Sequence, residues 1–166
     1  MTNETARQPA LTTGEATSPP HRPRRTIELD RDEALRLLGS VPFGRIVFTR
    51  HALPTVRPVN HVLDGGDIVI RTHDGAALTA HARDADGTGV VVAYEADVID
   101  PDTRLGWSVV ATGYARLVTE PAELARYQEL LVPWIGHTMD HAVRISPDLV
   151  TGVRLTADGD GALGNA

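Results

Sequence analysis

Apolar and polar residues alternate with a period of two through Thr55-Val56-Arg57-Pro58-Val59-Asn60-His61-Val62, and the rhythm resumes in Ile68-Val69-Ile70-Arg71-Thr72. Asp64-Gly65-Gly66-Asp67 lies between the two runs. Alternation of this kind marks strands with one covered face, and an Asp-Gly-Gly-Asp stretch between them is a hairpin turn. Val41-Pro42-Phe43-Gly44-Arg45-Ile46-Val47-Phe48-Thr49 supplies the preceding strand of a meander, joined through Ala52-Leu53-Pro54. The β-branched run from Gly89 to Val98 has the character of a strand buried on both faces over part of its length. Gly106 to Leu117 makes a further long strand in which Gly113 marks a bulge or bend, and Val143 to Leu155 closes the set, interrupted near Pro147.

Three segments carry helical spacing instead. Leu29 to Gly39 begins on an N-cap aspartate, has acids in its first turn and ends on glycine, which predicts a short amphipathic helix over one end of the sheet. Asp74 to Ala82 is a turn followed by an alanine-rich helix whose N-terminus falls beside Arg71-Thr72. Thr119 to Leu131 opens with proline and acids and runs to the break at Pro133. Residues 1–25 offer little to bury and read as a disordered tail, 26–156 as one domain and 157–166 as a flexible tail.

Composition narrows the chemistry. The chain has 166 residues and no cysteine, so thiolate metal sites, disulfides and cysteine nucleophiles are excluded, and redox chemistry requires a bound cofactor. A net charge of −6 disfavours nucleic acid as a partner. No apolar run approaches the roughly 20 residues that span a bilayer, and the N-terminal stretch lacks a signal peptide's apolar core, so no membrane partner is expected and the reading is a soluble, cytoplasmic protein. His137 and His141 have the i, i+4 spacing of a metal pair, but Thr138 stands where the zinc-protease pattern has glutamate, and no metal site is expected. The Gly159-Asp160-Gly161-Ala162-Leu163-Gly164 tail matches a dinucleotide-binding expression with too little chain left for the helix it needs. Glu95 and Asp97 share a strand face and read as edge or dimer-contact carboxylates rather than a hydrolytic pair.

What remains is the interrupted strand. Strand pairing brings Arg57 and Asn60 toward Arg71-Thr72, so two guanidiniums, an amide and a hydroxyl converge where an anionic, hydrogen-bonding ligand such as a nucleotide phosphate would sit. Pro58 lacks a backbone donor and confines this strand to an edge, a bulge or a ligand-facing position. On pattern alone, the commoner reading is that Arg57 and Arg71 are solvated strand charges with Pro58 protecting an edge.

The order and spacing of Phe43-Gly44-Arg45-Ile46-Val47, Arg57-Pro58-Val59-Asn60, Ile70-Arg71-Thr72, Gly106-Trp107-Ser108-Val109-Val110 and Gly113-Tyr114-Ala115 resemble the pyridoxamine 5′-phosphate oxidase-like flavoproteins, over about Ile27 to Leu155. The resemblance implies a mainly β (α+β) fold, an antiparallel split β-barrel of about six strands with a few peripheral helices. It also implies a homodimer with flavin mononucleotide (FMN) in a groove between subunits. Carried onto matching positions, Arg57 and Arg71 neutralise the phosphate, and Thr72 and the amides beyond it complete the cradle. Pro58, Val59, Asn60, Ile70, Trp107 and Ser108 belong to the segments that border the cofactor. The family lysine that contacts the phosphate is replaced here by Ala77.

The implied function is an FMN-binding oxidoreductase served by a small-molecule substrate or electron donor, with no catalytic side chain assigned. The C-terminal arginine-and-histidine substrate motif of the true oxidases is absent. Similar proteins use a deazaflavin coenzyme, which makes a deazaflavin-dependent reductase one alternative. A dimeric module holding flavin or haem without turnover is the other.

Overall fold

The computed structural model describes residues 24–73, 76–85, 87–132, 136 and 138–157. Along them run β1 (Arg24–Glu28), α1 (Arg31–Leu38), β2 (Phe43–Arg50), β3 (Leu53–Asp64), β4 (Asp67–Thr72), α2 (Ala77–Asp84), β5 (Val90–Ile99), β6 (Gly106–Leu117), α3 (Pro121–Leu130) and β7 (His141–Ala157). All strand pairings are antiparallel, in the order β1-β7-β4-β3-β2-β5-β6, and a further pairing of β6 with β7 closes the ring. Six strands thus form the barrel expected from the sequence. The seventh, β1, is appended to the second half of β7, with Arg24 opposite Ala157 and Glu28 opposite Val153. It begins inside the stretch read as a tail, because all five of its residues are exposed and carry no alternation to read.

Inward positions of the ring build the core, from Ile46 and Phe48 on β2 through Ile68 and Ile70 on β4 to Tyr94, Val109, Val143 and Ile145. α1 covers one end with Ala34, Leu37 and Leu38. Its N-cap is the predicted aspartate: Asp30 Oδ1 accepts from the Glu33 amide at 2.8 Å. Gly39 ends the helix with φ −71°, so it serves there without needing the left-handed region. Two contacts tie the helix to β7: Arg154 Nη2 meets Glu33 Oε1 at 2.6 Å, and Arg31 Nη2 donates to the Pro147 carbonyl at 2.9 Å.

A second, smaller cluster lies outside the ring, where Tyr127 and Leu131 pack on Val69 of β4 and Ala142 of β7. Ile68-Val69-Ile70 is therefore buried without a break, the interior on one face and α3 on the other. β5 differs from its sequence reading. Val92, Tyr94 and Ala96 point inward, but Val91 is 61% exposed, because nothing among the described residues covers the barrel's outer face there. The bulge expected at Gly113 appears as a register shift between Thr112 and Gly113, opposite Leu149 and Pro147. A side chain at Gly113 would collide with the Ser146 carbonyl. β7 runs past Pro147 without ending, since that shift absorbs the proline.

No helix among the described residues is long and apolar enough to cross a membrane. His137 and the Gly159–Gly164 motif lie outside the described residues.

Candidate functional site

β3 changes partners halfway along. Its first part pairs with β2, from Arg50↔Leu53 to Phe43↔Asn60, and its last part with β4, from His61↔Ile70 to Asp64↔Asp67. β4 then continues along β7, with Arg71 opposite Ala142 and Thr72 opposite His141. The sheet forks at His61. In the opening between the first half of β3 and the end of β4 lies a cleft of about 330 Å³, and α2 starts at its edge. Pro58 stands in the half of β3 that has a neighbour on one side only, where a strand tolerates a missing donor.

The cleft has an apolar floor of Ile46, Phe48, Val59, Ile70 and Leu78, and three arginines border it: Arg50, Arg57 and Arg71. No aspartate or glutamate does so among the described residues, in a chain whose net charge is −6. Ala76 caps α2 without a side-chain hydrogen bond, and Ala76 and Ala77 both line the cleft. The first turn of α2 thus starts at the cleft with its amides free of any competing side-chain cap. That donor set fits a phosphorylated ligand with an apolar body.

The two arginines singled out in the sequence border this one cleft but are held differently. Arg57 is exposed, and among the described residues it donates only to its own neighbour, from Nη1 to the Val56 carbonyl at 2.9 Å. Arg71 is spent on the chain after α3: its Nη1 donates to the Leu131 carbonyl at 3.0 Å and its Nη2 to the Met139 carbonyl. Its Nε is buried without a partner, alone in this among the described residues. A buried donor left unpaired costs about 1–3 kcal/mol, so a ligand oxygen there would relieve a standing penalty. Thr72 is buried, and its Oγ1 lies 3.1 Å from Thr79 Oγ1. Thr79 donates its only hydroxyl proton to the His73 carbonyl at 2.9 Å, so Thr72 is the donor in that pair.

Strand parity separates the remaining residues. Asn60 differs from Arg57 by an odd number of positions and faces the other side of β3, where its Nδ2 donates to the Val132 carbonyl at 3.0 Å. Trp107 and Ser108 sit on β6, opposite Val98 and Asp97 of β5. Trp107 packs against the barrel core, and Ser108 opens into a separate depression beside Glu28, Thr151 and Val153. One chain therefore gathers Arg57, Pro58, Val59, Ile70, Arg71, Thr72 and Ala77 at the cleft and leaves Asn60, Trp107 and Ser108 elsewhere. Arg50, His73 and Met139 also line it. Arg50 was legible in principle, since it continues the inward parity of Ile46 and Phe48. Met139 was not, because it arrives from the segment before β7. Glu95 and Asp97 are bound to Arg45, at 2.9 and 2.8 Å.

Below the fork, His61 is buried and bonded at both ring nitrogens, Nε2 to the Leu38 carbonyl at 2.9 Å and Nδ1 to the Tyr94 hydroxyl at 2.8 Å. A carbonyl only accepts, so Nε2 carries the proton, Nδ1 accepts and Tyr94 donates. Burial lowers the His61 pKa, with the Leu38 bond opposing it, and burial raises that of Tyr94 above the usual phenol range. Gly44 makes room for this pair, because a side chain there would strike the Tyr94 ring and the Glu95 carbonyl. The glycine of the Phe43-Gly44-Arg45 motif is thus a packing requirement.

Comparison with known proteins agrees with this architecture. A family model described as pyridoxamine 5′-phosphate oxidase matches residues 30–154, and the chain belongs to that family. An uncharacterized protein of Mycobacterium tuberculosis is 51% identical over 148 residues, 89% of this chain and 97% of its own length. The solved structure of an FAD binding protein from Mycobacterium smegmatis is 34% identical, with a TM-score of 0.62, covering 78% of this chain and 98% of that one. A conserved protein of unknown function from Corynebacterium diphtheriae is 29% identical, with a TM-score of 0.61, covering 79% of this chain and 98% of that one.

Proposed function

We propose that the chain is a flavin-dependent oxidoreductase that holds the FMN unit of its cofactor in the forked cleft. One observation carries the reading: three arginines and the uncapped start of α2 meet at an apolar-floored cleft that no described carboxylate borders. Arg57 and the α2 amides take the phosphate, Arg71 Nε offers one more donor, and Ile46, Phe48 and Val59 pack against the flat part of the molecule. A bound flavin supplies hydride and single-electron transfer, and the protein supplies position and field. The FAD binding protein from Mycobacterium smegmatis, at 34% identity over 98% of its length, supports a flavin as the ligand.

The working unit in this reading is a homodimer. Val56, Val91 and Leu149 are 49%, 61% and 59% exposed on the outer face of β3, β5 and β7, which a second copy would cover. Val56 and Arg57 lie on opposite faces of β3, so a subunit packed over Val56 is separated from the cleft by the thickness of the strand.

The test is to purify the protein, record its visible spectrum and identify the released small molecule. The expected result is a flavin that a nicotinamide donor reduces without air and an acceptor reoxidises. A deazaflavin would show itself by absorption at shorter wavelength. A flavin or haem that no donor reduces would establish a carrier without turnover, a reading favoured by the lack of any described carboxylate at the cleft to move a proton.

A further inference from the structure

We propose that Asn60 is a positioning residue for the phosphate site: it pins the end of α3, and that end holds the Arg71 guanidinium with its Nε free for the ligand. This rests on the flavin reading of the cleft and gives a role to a residue that does not border it.

Asn60 and Arg71 flank the fork. The β3–β4 ladder runs from Asp64↔Asp67 to His61↔Ile70, and one step beyond its last pair stand Asn60 on β3 and Arg71 on β4. Alternation puts Asn60 on the side of Val62 and Arg71 on the side of Val69, a cross-strand pair that packs in the cluster under α3. Both side chains reach the same target there. Arg71 Nη1 donates to the Leu131 carbonyl at 3.0 Å, and Asn60 Nδ2 donates to the next carbonyl along, that of Val132, also at 3.0 Å.

Carbonyls at a helix C-terminus have no partner within the helix. α3 carries no basic residue in its last turn, so the cation that complements the negative end of its dipole comes from the sheet, as Arg71. Leu131 is buried in the cluster with Tyr127 and Val69, but Val132 is 67% exposed, so apolar anchoring stops at Leu131. Asn60 supplies the tie beyond that point. It keeps the chain leaving α3 from peeling away and turning the Leu131 carbonyl off Arg71.

The effect on the cleft follows from the planarity of a guanidinium. Nη1 bound to Leu131 and Nη2 bound to Met139 fix the plane, and Nε is the buried donor left unpaired on a side chain that borders the cleft. A phosphate oxygen then meets a donor already oriented. Loss of the Asn60 amide leaves the charge of Arg71 in place but frees its direction, so it weakens the hold on the phosphate and on no other part of the ligand.

The experiment titrates the full-length chain, freed of bound cofactor, with FMN and riboflavin, following flavin fluorescence, in wild type, Asn60→Ala, Asn60→Gln, Arg71→Ala and the double variant Asn60→Ala with Arg71→Ala. Asn60→Ala should weaken FMN about fivefold and leave riboflavin within about twofold. Added to Arg71→Ala, it should change FMN by less than about twofold, because the residue through which it acts is gone. Asn60→Gln keeps the amide donor and should recover part of the loss. If Asn60→Ala does not fold, Asn60→Ser, polar but too short to reach the Val132 carbonyl, carries the same comparison. Unchanged FMN binding, an equal loss of FMN and riboflavin, or the full loss repeated on top of Arg71→Ala overturns the positioning role and leaves the flavin reading intact. Wild type that binds neither flavin contradicts the flavin reading itself.

Discussion

The Tyr94 hydroxyl lies 2.8 Å from Nδ1 of His61, at the residue where β3 leaves β2 for β4. Both side chains are buried, and the bond fixes the point from which the cleft opens. Tyr94→Phe keeps the ring and removes the donor, leaving an acceptor unsatisfied in the interior. It should lower stability by about 1–3 kcal/mol in chemical denaturation. An unchanged denaturation midpoint would mean that water replaces the hydroxyl.

The same pair sets an acid limit on stability. Burial holds the folded-state pKa of His61 below its ordinary value of 6.5, so the folded protein binds a proton less readily than the unfolded chain. The stabilisation is complete above about pH 6.5 and is lost as the pH falls through the lower folded-state value. Urea midpoints should therefore fall from about pH 6.5 downward, above the range in which Asp64 and Asp100, both held below their usual pKa, come into play. His61→Gln should flatten that part of the profile. A slope that survives the substitution would assign it to other histidines.

Arg57 is exposed and, among the described residues, carries no structural burden beyond a bond to the adjacent carbonyl. Arg57→Ala should leave the unfolding transition within about 0.5 kcal/mol of wild type and weaken retention of a phosphorylated flavin by about 1.5–3 kcal/mol. Equilibrium dialysis against FMN measures the second quantity. Full retention would remove Arg57 from the site.

Ala77 occupies the first position of α2 and borders the cleft where the family carries lysine. Restoring the cation with Ala77→Lys should tighten FMN by about tenfold and leave riboflavin unchanged, because the gain comes from a charged hydrogen bond to phosphate. An equal gain for both ligands would indicate packing rather than charge.

Much of this was legible in the chain. Period-two alternation located the strands, Asp30 and Gly39 bounded α1, and Gly113 marked the register shift. Arg57 and Arg71 do border one opening, but their separate fates were not legible. Arg71's ties to Leu131 and Met139 depend on a loop more than fifty residues away in sequence, which no local pattern encodes. Parity alone would have put Asn60 on the opposite face from Arg57. The run from Gly89 to Val98 concealed an open outer face, since β-branched residues suit a strand covered within its own chain and one left for a second copy alike.

Titration of the cofactor-free protein with FMN and with riboflavin tests the central claim most directly, because the two ligands share a ring and differ only in the phosphate assigned to Arg57 and the start of α2. The account predicts saturable FMN binding and riboflavin binding weaker by about tenfold or more. Equal affinities, or no binding of either, would contradict it.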